Sequence, residues 1–214
     1  VIVRDQFNNP VAGVEVTFAV SAGGGTVDPT TAVTTDANGV AAATSCTLGN
    51  TAGVNSVTAT SAGLTGSPVT FTATGTFDAA TQIALEAGDG QSATVATAVA
   101  IAPAVIVRDQ FNNPVAGLEV TFAVTAGDGT VDPATPVITD ASGVATATSW
   151  TLGNNAGANS LTASASGLTG SPVTFNATGT AAAATQIALE AGDGQSGRVA
   201  AAVGGGPPRI VCGQ

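Results

Sequence analysis

VIVRDQFNNPVAG opens the chain at Val1–Gly13 and returns letter for letter at Val105–Gly117. At this offset of 104 residues roughly three-quarters of the aligned positions are identical, the mark of a tandem array whose period governs every other reading. A third copy starts and departs: PAVIVRDQ at Pro103–Gln110 is echoed by PPRIVCGQ at Pro207–Gln214. A repeat of about 100 residues is domain-sized and large enough for a small apolar core.

Downstream of the stretch, VEVTFAV places Val14, Val16, Phe18 and Val20 in alternation with Glu15, Thr17 and Ala19, the period of a half-buried strand. FNNPVAG before it and SAGGGTVDP after it are turn clusters. TAVTTDANGVAAATS reads as a hairpin with Asp36, Asn38 and Gly39 at its tip, and Val40, Ala42, Thr44, Cys46 and Leu48 share one face of the returning strand. SVTATSAGL is another strand, entered through the loop GNTAGVN. In VTFTATG, Val69, Phe71 and Ala73 point one way and Thr70, Thr72 and Thr74 the other. TQIALEAGDGQSATVATAVA is expected to be a strand pair, or one strand that switches sheets at AGDGQS. About seven short strands per repeat, without an amphipathic helix, predict an all-β fold of tandem immunoglobulin-like Greek-key sandwiches placed end to end. The connector TFDAA is short and has no Gly-Ser run, which favours a stiff rod.

Composition narrows the function. Net charge is −10, Lys and His are absent, and the only cations are Arg4, Arg108, Arg198 and Arg209. Without a basic stripe to neutralise phosphates, no nucleic-acid partner is expected, and anionic membrane surfaces are disfavoured. No apolar run approaches the roughly 18 residues of a membrane span. The 28 Gly and 10 Pro stay below the level of about 25–30% that marks low-complexity chains, so the chain folds. Few charges with much Ser and Thr suit a secreted or surface-displayed protein. Cys46 and Cys212 stand at non-equivalent repeat positions, so no intrachain disulfide is expected.

Several motifs in order carry a resemblance: DQFNNPVAGVEVTF, the GGGTV turn, TTDANGVA, TSWTLG, NSLTASASGLTGSPVTFNATG and AGDGQSATV. Together they resemble the group 1 bacterial immunoglobulin-like domains, the repeats of invasin- and intimin-type surface proteins, over nearly the whole chain. The resemblance implies extracellular, non-enzymatic spacer domains and carries no catalytic residues. By the family's register a domain begins near TQIALEAG. Residues 1–80 then form a sandwich lacking its opening strand, 81–180 a complete sandwich, and 181–214 an opening segment without a domain. Two readings stand open. The tail fills the exposed groove of another molecule, a head-to-tail filament by strand donation with Ile187, Leu189, Val199, Val203, Ile210 and Val211 as candidate donor residues. Alternatively, the chain is an excerpt of a longer repeat protein.

Chemical sites find little support. Without His, Ser-His-Asp and Cys-His catalysis are excluded, as are His-type metal sites. SAGGGT and AGDGQS precede no helix and cradle no phosphate. Asp36-Ala37-Asn38-Gly39 lacks the distal Glu of a calcium loop. The pairs Asp89 with Glu86 and Asp193 with Glu190 read as solvated turns, and paired carboxylates that recur in both repeats suit decoration better than an active site. Asn176-Ala177-Thr178 matches a glycosylation acceptor. No catalytic residue, cofactor or metal is assigned. The expected partners are neighbouring immunoglobulin-like repeats or identical subunits. The alternative is an adhesin module that recognises a glycan or host protein through its loops, with Phe7 and Phe111 as candidate aromatics that otherwise pack at the domain junction.

One departure between the copies is informative. Cys46 stands where the second repeat has Trp150, which by parity with Val144 and Leu152 faces the core. A large-to-small core change costs about 2–5 kcal/mol unless compensated. Phe77, an alanine (Ala181) in the second copy, is the candidate compensation. The first sandwich is expected to be the less stable one.

Overall fold

The computed structural model describes residues 1–191, 193, 194 and 196. The chain divides into two compact units, Val1–Thr180 and Ala181–Gln214. The first unit is entirely β. Its first sandwich holds β1 (Glu15–Ala22), β2 (Thr26–Asp28), β3 (Val33–Thr34), β4 (Ser45–Thr47), β5 (Gly53–Thr60) and β6 (Val69–Gly75). One sheet runs β3-β1-β5-β6, and β2 pairs with β4. The alternation read from VEVTFAV places Val16 and Phe18 inside and Glu15, Thr17 and Ala19 outside.

The second sandwich adds β7 (Ala80–Ala87), β8 (Gln91–Thr94), β9 (Ala104–Asp109), β10 (Glu119–Ala126), β11 (Thr130–Asp132), β12 (Val137–Ile138), β13 (Val144–Thr146), β14 (Ser149–Thr151), β15 (Gly157–Ser164) and β16 (Val173–Thr180). Its sheets run β12-β10-β15-β16-β8 and β13-β9-β7, with β11 paired to β14. Of the two alternatives at AGDGQS, a strand pair or a switch between sheets, the second is present: β7 pairs with β9, and β8 runs parallel to β16 in the opposite sheet. Gly88 makes the crossing, at φ 90°, where a Cβ would press on the Ala102 carbonyl and the Pro103 backbone. Only glycine meets both demands.

Two local readings are corrected. TAVTTDANGVAAATS is not a ladder of two mutually paired strands. Its tip is a tight turn, with Asp36 Oδ1 accepting from the backbone N–H of Asn38 at 2.8 Å and of Val40 at 2.9 Å. The arms then part: β3 pairs with β1, whereas Val40 bridges Ile2. The second copy repeats this, β12 going to β10 and β13 to β9. The turn is a sandwich corner, and each arm buries its apolar side from an opposite sheet. The expected single face through Val144, Trp150 and Leu152 also fails. Ala145 and Ala147 point inward, the chain breaks at Thr148, whose N–H donates to the Asp132 carbonyl, and Trp150 and Leu152 then point inward. The period of two restarts one residue out of phase.

The two cores differ sharply. The second cluster counts sixteen buried apolar residues, among them Trp150, Leu152, Leu161 and Phe175. The first counts seven, with Phe18 as its only aromatic. Phe122 and Phe175 meet at 6.4 Å between ring centroids, tilted by 43°, a favourable aromatic geometry. Trp150 Nε1 is buried without a hydrogen-bond partner. Phe77 is exposed and belongs to neither cluster, so it does not compensate for Cys46.

Trp150 is the only tryptophan, so its fluorescence reports unfolding of the second sandwich alone. Phe175→Ala is expected to lower that sandwich's stability in urea by about 3–5 kcal/mol. Phe71→Ala, at the equivalent but half-open position, should leave the tryptophan transition where it is.

Candidate functional site

The opening segment β7–β8 closes the second sandwich from both sides. Along one edge, Ile83 N–H donates to the Thr169 carbonyl and Thr169 N–H to the Thr81 carbonyl, each at 3.0 Å. Along the other, Gly90 N–H donates to the Asn176 carbonyl at 2.9 Å, and Asn176 N–H donates to Asp89 Oδ1 at 2.7 Å. Asp89, expected as a solvated turn residue, thus pins β8 to β16. Beyond β8, Val95 N–H donates to Thr180 and Val99 N–H to Trp150, both carbonyls at 2.9 Å. Beneath this cover Phe175 and Trp150 have no solvent exposure, and Leu152 has 2%.

In the first sandwich no residue of 1–180 takes these places. Phe71, the equivalent of Phe175, is 47% exposed, and Leu48, the equivalent of Leu152, is 39% exposed. Cys46 is exposed rather than buried, contrary to the core position expected of it. The result is an open apolar groove of about 350 Å³ lined by Phe18, Val27, Cys46, Leu48, Val57 and Phe71 among others. A second hollow of about 510 Å³ lies between Val1–Gln6 and Gly63–Ser67. It corresponds to the place of β7 between β9 and Thr169, because Thr65 is the repeat equivalent of Thr169. The two hollows match the two halves of one opening segment. Residues 185–196 repeat the sequence of 81–92 letter for letter. Among their described positions no strand forms, and Ile187 and Leu189 are exposed. Val199, Val203, Ile210 and Val211 lie outside the described residues.

The second feature is the junction between the sandwiches, built on Asp109 and Asn113, both buried. Asp109 Oδ1 accepts from the N–H of Phe111 at 2.9 Å and of Asn113 at 2.8 Å. Its Oδ2 accepts from Asp78 N–H and from Asn113 Nδ2, each at 2.9 Å. Asn113 then reaches the first sandwich. Its Nδ2 donates to the Asn50 carbonyl at 2.8 Å, and its Oδ1 accepts from Ala52 N–H at 2.9 Å. Gln110 Nε2 donates to Asp78 Oδ2 at 2.7 Å. Burial pushes the Asp109 carboxyl up, but the four N–H donors outweigh it and hold its pKa at about 2. With four donors on four lone pairs, Asp109 has no site left for a cation. Phe111 is 46% exposed beside this junction, against 75% for Phe7, its repeat equivalent. Among the described residues no cluster of acidic or Cys side chains is arranged to hold a metal. No helix of the described residues is long and apolar enough to cross a membrane.

The loop that Asn113 grips is shaped by Asn55, the last residue of the expected loop GNTAGVN, which is buried within β5. Asn55 Oδ1 accepts from Gly49 N–H at 3.0 Å, and its Nδ2 donates to the Gly53 carbonyl at 3.3 Å. Asn159 does the same for Gly153 and Gly157. Gly127 sits directly over Asn159 at φ 92°, where a Cβ would fall on that side chain. Strict recurrence of the Asn within the strand, one repeat apart, was the available signal.

The sequence profile of the bacterial Ig-like domain, group 1, matches residues 1–74 and 86–178. The chain belongs to this family. The fold is accordingly a tandem of immunoglobulin-like sandwiches. Among solved structures, Yersinia pseudotuberculosis InvD shares 24% identity and a TM-score of 0.53 over 89% of this chain and 54% of its own. The D0-D1 domains of intimin share 22% identity over 81% of this chain and 83% of theirs, with a TM-score of 0.33. Invasin, a bacterial integrin-binding protein, shares 25% over 85% of this chain and 35% of its own, with a TM-score of 0.38. The chain thus spans about a third of invasin and about half of InvD. No curated protein matches the chain by sequence.

The Asp109 pKa sets an acid limit. A depressed carboxyl pKa stabilises the fold above its unfolded value, and the gain is lost as pH falls toward the folded value. The urea midpoint of the Trp150 transition should hold from pH 7 to about 5 and fall between about pH 4 and 2. Asp109→Asn should lower the urea midpoint at pH 7 and flatten this acid limb, which the same titration reads.

Proposed function

We propose that this chain is a non-enzymatic structural repeat of a bacterial surface stalk or extracellular filament, and that its copies join head to tail by strand donation. In this reading 1–80 is the acceptor sandwich, 81–180 the complete sandwich and 181–214 the donor. One observation carries it: the two hollows of the first sandwich lie where β7 and β8 lie in the second, and residues 185–196 have the sequence of those strands. Val199 and Val203 stand at the repeat positions of Val95 and Val99, whose backbone groups bond to Thr180 and Trp150. The donor would supply the missing ladder bonds and cover Phe71, Leu48 and Cys46, so association stabilises the acceptor as the opening segment stabilises the second sandwich.

The surface setting follows from family membership together with the low charge and the Thr-rich outer strand faces. Neighbouring immunoglobulin-like repeats and identical subunits are the partners. A stalk needs stiffness between repeats, and the Asn113 bonds to Asn50 and Ala52 supply it at the one junction within residues 1–180.

Negative-stain imaging and sedimentation at several concentrations test the assembly. Thin fibres with a repeat of two domains are expected. Ile187→Asp, at the equivalent of Ile83, which is 3% exposed, should abolish them. Discrete monomers at every concentration would remove strand donation and leave a stalk whose opening strands come from neighbouring repeats of one longer chain.

A further inference from the structure

The turn of this junction recurs, exposed, in the first repeat. Asp5, Phe7 and Asn9 are the repeat equivalents of Asp109, Phe111 and Asn113, and they make the same internal bonds. Asp5 Oδ1 accepts from Phe7 N–H at 2.9 Å and from Asn9 N–H at 2.8 Å, and Asp5 Oδ2 accepts from Asn9 Nδ2 at 3.0 Å. Arg4 donates to the Asn8 carbonyl at 2.8 Å as Arg108 does to Asn112 at 3.0 Å. Yet Asp5 and Asn9 are exposed, whereas Asp109 and Asn113 are buried. The loop that fits them is also present. Gly153–Gly157 (Gly-Asn-Asn-Ala-Gly) is the equivalent of Gly49–Gly53, shaped by Asn159 as the first is by Asn55. Ala156 is exposed where Ala52 is half-buried.

We propose that the Asp5–Asn9 turn is a docking socket for the Gly153–Gly157 loop of a second copy of this chain, reproducing between molecules the junction seen between the sandwiches. In it, Asn9 Nδ2 donates to the Asn154 carbonyl and Asn9 Oδ1 accepts from Ala156 N–H. Both halves hold their bound shape before they meet, so docking carries little ordering cost. Recognition is through backbone atoms of the loop, which any repeat with this turn presents. The intermolecular joint lacks one bond of the intramolecular one. Ala182 stands at the position of Asp78, so Gln6 has no counterpart to the partner of Gln110. The proposal rests on the head-to-tail reading, to which it adds register: the socket fixes which way the next sandwich faces.

Hydrogen–deuterium exchange of the full chain at rising concentration tests it. Residues 5–9 and 153–157 should gain protection together, alongside 69–75 at the groove edge. Asn9→Ala removes both side-chain bonds and should weaken this protection about tenfold in concentration, while Asn113→Ala leaves it in place. Ala156→Pro, which removes the loop's donor without touching the first sandwich, should match Asn9→Ala. Protection at 69–75 without 153–157, or protection at 153–157 indifferent to Asn9→Ala, overturns the socket and leaves strand donation standing. Protection at 153–157 without 69–75 supports the socket and removes donation. No concentration dependence at either place overturns both.

Discussion

A β-sandwich core is closed only when the outer strand of each sheet is paired and the last apolar side chains are covered. In this protein one segment does both. β7 borders β9 and β8 borders β16, so a single stretch of chain ties the two sheets together across Gly88. Phe175 and Trp150 are dry beneath it, while Phe71 and Cys46, which lack it within residues 1–180, face solvent. Burying a side chain of this size stabilises by about 1.5–3 kcal/mol, so the segment decides which sandwich is robust. Cys46, at the repeat position of Trp150, lies on the wall of this groove.

The junction follows a different physical logic. It buries a carboxylate, which is costly unless every lone pair is met. Asp109 meets that demand with three backbone N–H groups and one amide. The carboxylate orients Asn113, and Asn113 presents one donor and one acceptor to a loop whose backbone offers the reverse. Hydrogen-bond direction thus helps specify the contact between the sandwiches. Such a joint resists twisting and depends little on the side chains of the loop it holds, which suits an array of near-identical repeats.

Several acidic side chains of this chain bond to its own backbone. Asp36 caps a corner, Asp89 pins a strand, and Asp5 and Asp109 shape turns. Each accepts backbone N–H groups, and the lowered pKa values of Asp5 and Asp36 arise chiefly from their bonds to Asn9 and Val40. Acidic side chains that recur with the repeat and point at backbone are structural.

The repeat, the all-β class and the faces of VEVTFAV were legible in the sequence because they are periodic: a period of about 100 residues for domains and of two for half-buried strands. The sheet switch at AGDGQS was legible because glycines punctuate it. The corner at Asp36 was read as a hairpin because a turn's residues encode how tightly the chain bends and not which sheet each arm joins. The phase break at Thr148 escaped for the same reason, since its N–H is taken by Asp132 from a different strand. Above all, the grip of Asn113 on Asn50 and Ala52 joins residues more than sixty positions apart through backbone atoms that leave no trace in residue identity. Local periodicity determined what each segment is. Only the tertiary structure, by satisfying buried polar groups across the chain, decided how the segments meet.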